Sequence, residues 1–290
     1  MLRRPWRLWK THLRESAKPV GTTLFIGGGS IGAAMIAGLR LGKYAAPIAV
    51  HDHRAERMRL LRRAHGATEE PDLGTGLRAA QLIVLAVRPD AAEEMLRELD
   101  VALERGGHRE PQKILVSVMA GLPLAWLRRR IRAGVRWARA MPSPLCESGN
   151  GLTAIAFGSG CPMETRDAVY RLFATFGQVV VLPERHFDAF TVIYSPSHGV
   201  HALSALADAG MEAGLSRKTA LQAAAHALSG AKAALTTGSG DLKRIQRQAA
   251  TPGGTAEATV AGMEAAGYRK AVAQGVKRGI ARARAIGSAK

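Results

Sequence analysis

Thr22-Thr23-Leu24-Phe25-Ile26-Gly27-Gly28-Gly29-Ser30-Ile31-Gly32 is the stretch that decides the fold. Five β-branched or apolar residues run into three glycines, and an Ala/Met/Leu-rich segment then continues to Leu41. That order reads as strand, glycine turn, helix. The spacing Gly27-x-Gly29-x-x-Gly32 is the dinucleotide-binding fingerprint. Gly27 makes the tight turn, Gly29 lets backbone approach a pyrophosphate, and Gly32 lets helix lie against strand. Ser30 and Ile31 open the helix, whose unpaired N–H groups and positive dipole end favour an anion.

Working outward, Pro47-Ile48-Ala49-Val50 reads as a second strand, ending in His51-Asp52-His53-Arg54 about 20 residues past the last fingerprint glycine. An adenosine ribose is read at this position. Asp52 could take the ribose hydroxyls of NAD, while His53, Arg54 and Arg57 could receive the 2′-phosphate of NADP, and both readings stay open. For Arg54 and Arg57 a solvated helix face fits as well. Gln81 to Val87, apolar without a break from Leu82, is a run suited to a buried parallel strand, followed by Arg88-Pro89-Asp90 and a helix over 91–98. Ile114 to Val118 is another such strand, ending in Met119-Ala120-Gly121. Shorter strands are expected over 135–138, 152–157 and 179–182. Ligands of open parallel sheets lie at the carboxyl ends of the strands, so Val87, Arg88 and Pro89 on one side and Ala120 and Gly121 on the other should flank the nicotinamide end of the cofactor. Pro89 equally suits the first position of a helix.

No strand is evident after Leu182. The chain instead reads as long Ala-rich helices near 187–213, 216–236, 241–249 and 255–287. The expected fold class is therefore α/β: an N-terminal doubly wound Rossmann-type sheet over 21–183, preceded by a basic extension over 1–20 and followed by an all-α domain over 184–290. So much alanine on several helix faces suits close helix packing against a second copy of the chain.

The net charge of +18 raises nucleic acid as a partner, but residues 1–20 carry six basic groups against Glu15, and residues 269–290 carry seven and no acid. The body from 21 to 268 is left with +6. No helix-turn-helix or aromatic stacking platform accompanies that charge, so nucleic acid is not expected as a partner. Two cysteines, Cys146 and Cys161, are too few for a disulfide framework and lack zinc-site spacing, so no metal is expected. The opening segment has no apolar core of the kind a secretory signal needs, and no stretch is long enough to span a membrane. The expectation is a cytoplasmic protein without a membrane partner.

Taken together, these segments resemble the pyrroline-5-carboxylate reductase family over nearly the whole chain. The resemblance rests on residues 25–32, Leu85-Ala86-Val87-Arg88-Pro89, Val116 to Gly121, Arg139-Ala140-Met141-Pro142, Gly149 to Ala154, Ala207 to Gly210 with Gly214-Leu215, and above all Thr251-Pro252-Gly253-Gly254-Thr255. It implies a C-terminal helical domain that forms a homodimer, with higher assembly left open. It also implies reduction of a cyclic imine, pyrroline-5-carboxylate, to proline, with NADP as cofactor and NAD the alternative. By the same resemblance Gly253, Gly254 and Thr255 hold the substrate carboxylate, Thr255 being counted among the catalytic residues.

Three departures from the family pattern fall on the substrate side. The family's glycine- and serine-rich run is replaced by Tyr194-Ser195-Pro196-Ser197-His198-Gly199-Val200. Met-Pro-Asn-Thr-Pro has become Met141-Pro142-Ser143-Pro144-Leu145, and Thr255 is followed by Ala256 and Glu257. Tyr194 and His198 are candidates for a proton-bearing catalytic role and Ser195 for a substrate contact, although His198 equally suits a packed helix start. No lysine lies between Leu182 and Arg217, which disfavours alcohol oxidation and keeps C=N reduction ahead. A reductase of a different imine, or a cofactor-binding protein without turnover, is the alternative.

Overall fold

The computed structural model describes residues 21–106, 112–237 and 241–288. The basic extension read at 1–20 and the Gly238-Ser239-Gly240 part of the expected helix break lie outside the described residues. The first half runs β1 (Thr22–Ile26), α1 (Ser30–Leu41), β2 (Ile48–His51), α2 (Ala55–His65), β3 (Thr68–Glu69), α3 (Leu73–Ala79), β4 (Ala80–Leu85) and α4 (Ala92–Arg105). It continues with β5 (Ile114–Ser117), α5 (Leu124–Arg128), β6 (Arg136–Pro142), β7 (Gly151–Phe157), α6 (Met163–Ala174) and β8 (Gly177–Val181). The eight strands form one sheet in the order β3-β2-β1-β4-β5-β6-β7-β8.

All neighbouring strands are parallel except β6 and β7, where Ala138 faces Phe157 and Pro142 faces Thr153. The reversal follows from the length of the connection. Pro144–Ser148 is a short 3-10 turn closed by Gly149 at φ +74, which returns the chain beside β6 without a crossover helix. The inner strands are buried on both faces, and the two-residue period sorts their side chains into two cores. Phe25, Val84, Val116 and Ala138 form one row across the sheet, facing one core with Met35, Ile36 and Phe173. Leu24, Ile83, Leu115 and Trp137 face the other with Leu96 and Leu99. A run that is apolar at every position is what two-sided burial requires.

The remaining helices are α7 (Phe187–Ile193), α8 (Pro196–Glu212), α9 (Arg217–Thr237), α10 (Leu242–Ala249), α11 (Thr255–Ala265) and α12 (Tyr268–Ser288). Two helices expected to be continuous are broken. The 187–213 segment stops at Tyr194-Ser195 because Pro196 occupies the first position of α8 and holds Ser195 extended, at φ −57 and ψ 128. The 255–287 segment breaks at Gly267, whose φ of +85 ends α11. The expected helix over 91–98 runs further, to Arg105, where Gly106 ends it.

The chain divides into two compact units, one reaching Thr191 and taking in the segment from Ala281, the other Val192–Ile280. In the second, α8 and α9 pack closely. Ala207, Ala220 and Ala224 are buried with Leu203 and Leu221 against them, and a Cβ on Gly210 would come within 3.2 Å of Ala220 Cβ. Among the described residues of this unit few others are buried. Val200, Leu215, Leu235, Val260 and Met263 are exposed.

Candidate functional site

The glycine turn shows which glycines the fold itself demands. Gly27 sits at φ +106, and a Cβ there would reach Ala86 O at 2.6 Å and Val87 N at 3.1 Å. A Cβ on Gly32 would collide with Gly27 O, so α1 approaches β1 only without a side chain at that position. Gly29 differs: the nearest heavy atom to its Cβ position is Arg57 Nη1 at 3.8 Å. Packing within the chain does not require glycine there, and the open space suits close approach by a ligand. Gly29 caps α1 with no side-chain bond, and the first turn, which holds Ser30 and Ile31, contains no acid. The donors at this helix start are thus left to an anion. A dinucleotide pyrophosphate fits both observations.

Asp52 supports the turn from the end of β2. Its side chain is 2% exposed, and its Oδ2 accepts the Gly28 N–H at 2.7 Å. Oδ1 accepts the Arg54 N–H at 2.9 Å, and Arg57 Nη1 lies 3.4 Å from Oδ2. Burial would push the carboxyl up, but the N–H bonds from Arg54 and Gly28, aided by the Arg57 guanidinium, outweigh it and hold the carboxyl below its ordinary value. Both oxygens are engaged within the chain. Around them stand His53, with a 78% exposed side chain 3.5 Å from Asp52 Oδ1, exposed Arg54 and half-buried Arg57.

The expected nicotinamide edge lies at the ends of β4 and β5, where Ala86 N–H donates to Ile26 O and Val118 N–H to Leu85 O. These bonds carry the strand pairing as far as Ala86, just before Val87. Arg88 is exposed and pairs with Asp90 at 2.7 Å, and Pro89 opens a short 3-10 turn into α4. Ala120 is half-buried, and Gly121 is at φ +77, where a Cβ would reach Ile286 Cγ2 at 2.8 Å. The last turns of α12 therefore lie against this loop, and Arg284 Nε stands 3.9 Å from Asp188 Oδ2. Beneath the same loop, buried Arg139 donates to Glu184 Oε1 at 3.1 Å, and that oxygen also accepts the Leu124 N–H at 2.7 Å. The guanidinium lies 4.8 Å over the Phe187 ring.

In the second unit, His198 is exposed and its Nε2 meets Val192 O at 2.6 Å. A carbonyl only accepts, so Nε2 carries the proton and donates it within the segment. Ser195 Oγ and Ser197 Oγ are 2.8 Å apart, and Tyr194 is half-buried. Further along, Gly253 adopts φ +74 and Gly254 caps α11 without a side-chain bond. Thr255, at the first position of α11, is exposed. Glu257 bends back so that its Oε2 accepts the Gly253 N–H at 2.7 Å. Ser195 and His198 bond within their own segment and Gly253 within its own. Among the described residues no three His, Cys, Asp or Glu side chains gather to hold a metal ion, and no helix is long and apolar enough to cross a membrane.

Comparison with known proteins bears on both units. A family model described as pyrroline-5-carboxylate reductase dimerisation matches residues 184–286. The pyrroline-5-carboxylate reductase of Mycobacterium tuberculosis is 30% identical over 269 residues, covering 85% of this chain and 90% of that one. The chain belongs to the pyrroline-5-carboxylate reductase family. A second model, described as NADP oxidoreductase coenzyme F420-dependent, matches residues 22–121. The pyrroline-5-carboxylate reductase of Synechocystis is 29% identical, covering 90% of this chain and 97% of that one. Among solved structures, the Coxiella burnetii pyrroline-5-carboxylate reductase superposes with a TM-score of 0.83 at 20% identity, covering 93% and 99% of the two chains. The Plasmodium falciparum pyrroline carboxylate reductase with NADP bound does so at 0.80 and 19%, covering 94% and 100%. These likenesses show that the fold is the family's.

Two features of this family member were not singled out from the sequence. The Gly28 contact of Asp52 joins residues remote in the chain and leaves no local pattern. The Arg139–Glu184 pair gave one weak signal, an arginine flanked by apolar residues in the middle of β6.

Proposed function

We propose that this chain reduces pyrroline-5-carboxylate to proline with NADPH. The reading is carried by one observation: the open Gly29 turn at an uncapped helix start, found in a chain of this family. Bound there, the dinucleotide would supply a hydride to the imine carbon. Gly27, Gly29, Ser30, Ile31 and Gly32 would seat its pyrophosphate, and Val87, Arg88, Pro89, Ala120 and Gly121 would border its reactive ring. A protonated imine is already a good acceptor, so the chain mainly positions the two partners.

NADPH is favoured over NADH because Asp52 spends both oxygens on Gly28 and Arg54, which leaves His53, Arg54 and Arg57 to meet a 2′-phosphate. On the substrate side the N–H groups of Gly253 and Gly254 and the Thr255 hydroxyl would hold a carboxylate. Ser195 would contact the substrate, and Tyr194 and His198 would supply exchangeable protons. The exposed apolar side chains of α8, α9 and α11 support burial against a second copy, giving a homodimer. Initial rates with pyrroline-5-carboxylate, NADPH and NADH, followed at the nicotinamide absorbance, test the proposal. Silence with both cofactors would overturn it.

One observation favours a second reading, a cyclic imine without a carboxylate: Glu257 already occupies the Gly253 N–H. Parallel assays of carboxylated and non-carboxylated pyrrolines separate the two.

A further inference from the structure

Three arginines from three elements gather about the loop that joins β7 to α6 and the first turn of that helix, at the sheet edge opposite the glycine turn. Arg128 ends α5, Arg136 begins β6 and Arg166 lies in the first turns of α6. The Arg128 guanidinium fills the space left by Gly158, where a Cβ would collide with its Nη2. Arg166 donates through Nε to Cys161 O at 3.1 Å and stacks 5.3 Å over the Phe157 ring. Arg136 donates through Nη1 to Thr165 Oγ1 at 2.9 Å and through Nε to Gln112 Oε1 at 3.3 Å.

Every one of these anchors is neutral. Among the described residues none of the three guanidiniums forms an ion pair, and neither Glu164 nor Asp167, their neighbours along α6, bridges to them. Nearby arginines of the same unit behave otherwise: Arg130 meets Glu93 at 2.7 Å and Arg139 meets Glu184 at 3.1 Å. The cations are also close enough to act on one reporter, the Cys161 thiol. Burial pushes that thiol up, while Arg166, Arg136 and Arg128 each pull it down. Three guanidiniums held around one loop repel one another, and that repulsion is relieved by a multiply charged anion able to accept several of their remaining N–H groups. Gly160, at φ +71 with open space at its Cβ position, leaves the loop uncovered for such a ligand.

We propose that Arg128, Arg136 and Arg166 form, with the Gly158–Cys161 loop, a second anion site that takes a phosphate-bearing small molecule. The site is separate from the dinucleotide turn, because β6 begins at the edge where β5 begins, whereas Gly27–Gly32 follows the end of β1.

The test is calorimetric titration of sodium pyrophosphate into the full chain saturated with NADPH, with ionic strength held constant by KCl. Saturable binding is expected, weakened at least ~10-fold in R128A/R166A while pyrroline-5-carboxylate reduction keeps its wild-type rate. G158V, which displaces Arg128 without removing a charge, should weaken binding as well. R57A, which alters only the dinucleotide end, should leave it unchanged. Absence of heat beyond the KCl control, equal affinity in R128A/R166A, or loss of binding in R57A would each overturn the proposal.

Discussion

The Asp52 carboxylate accepts the Gly28 N–H at 2.7 Å, tying the end of β2 to the middle of the glycine turn. A side chain placed where a ribose contact was expected thus braces the glycine turn. Its buried oxygens are satisfied by two backbone donors and one guanidinium, so removing the charge leaves those donors short of an acceptor. D52N should lower stability by about 1–3 kcal/mol and weaken NADPH binding. Because the folded protein holds this carboxyl below its unfolded value, its contribution is present above the ordinary carboxylate range and is lost as pH falls through the depressed value. Thermal melts of wild type and D52N from pH 7 downward should therefore converge in acid.

Gly29 and Gly32 make a paired test. G32A places a methyl against Gly27 O and should lose both stability and NADPH binding. G29A meets nothing nearer than 3.8 Å and should melt close to wild type while binding NADPH at least ~10-fold more weakly. Circular dichroism melts beside NADPH fluorescence titrations distinguish the two, and equal binding by G29A would remove the turn from the cofactor site.

Arg57 stands 3.4 Å from Asp52 and half-exposed beside His53 and Arg54. R57A should raise KM for NADPH by roughly 10-fold or more and leave KM for NADH nearly unchanged, since only the former carries the 2′-phosphate. Equal effects on both cofactors would place Arg57 in loop support alone.

Thr255 and Glu257 flank one donor set with opposite expectations. T255A should raise KM for pyrroline-5-carboxylate or lower kcat with NADPH affinity intact. E257Q removes a like charge from beside the Gly253 N–H and should lower KM for a carboxylated imine by a few-fold, with no change for a non-carboxylated one. A rise in KM for E257Q would assign Glu257 to building the turn.

Burial pushes the Cys146 thiol up to about 11, against the weaker effect of neighbouring N–H groups, so at pH 8 it is protonated and inert. Cys161 is half-buried. Native protein should label at Cys161 at least ~10-fold faster than at Cys146, with both labelling alike in denaturant.

Most of the sheet was legible in the sequence because its strands are buried on both faces and announce themselves as apolar runs between glycines. Ile114 to Ser117 and Thr22 to Ile26 need no long-range information. The two-residue strand Thr68–Glu69 was not legible, since two residues carry no periodicity. The helix break at Tyr194-Ser195 carried a readable signal in Pro196, which the surrounding apolar periodicity outweighed. At the site, glycine spacing marks the turn, but which glycine is held by packing and which is open depends also on Ala86 and Arg57, which arrive from separate segments. The same holds for Asp52, whose type suggests a ribose contact and whose surroundings make it a brace.

Gly121 meets Ile286, and the residues from Ala281 onward belong with the sheet. During synthesis the strands can pair as they leave the ribosome, yet the loop after β5 acquires this neighbour only when the final turns emerge. Loop closure over so long a span is entropically slow. The order of assembly therefore brings the loop after β5 to completion last, and a chain that stops short of Ala281 would carry a finished glycine turn beside an unfinished neighbour.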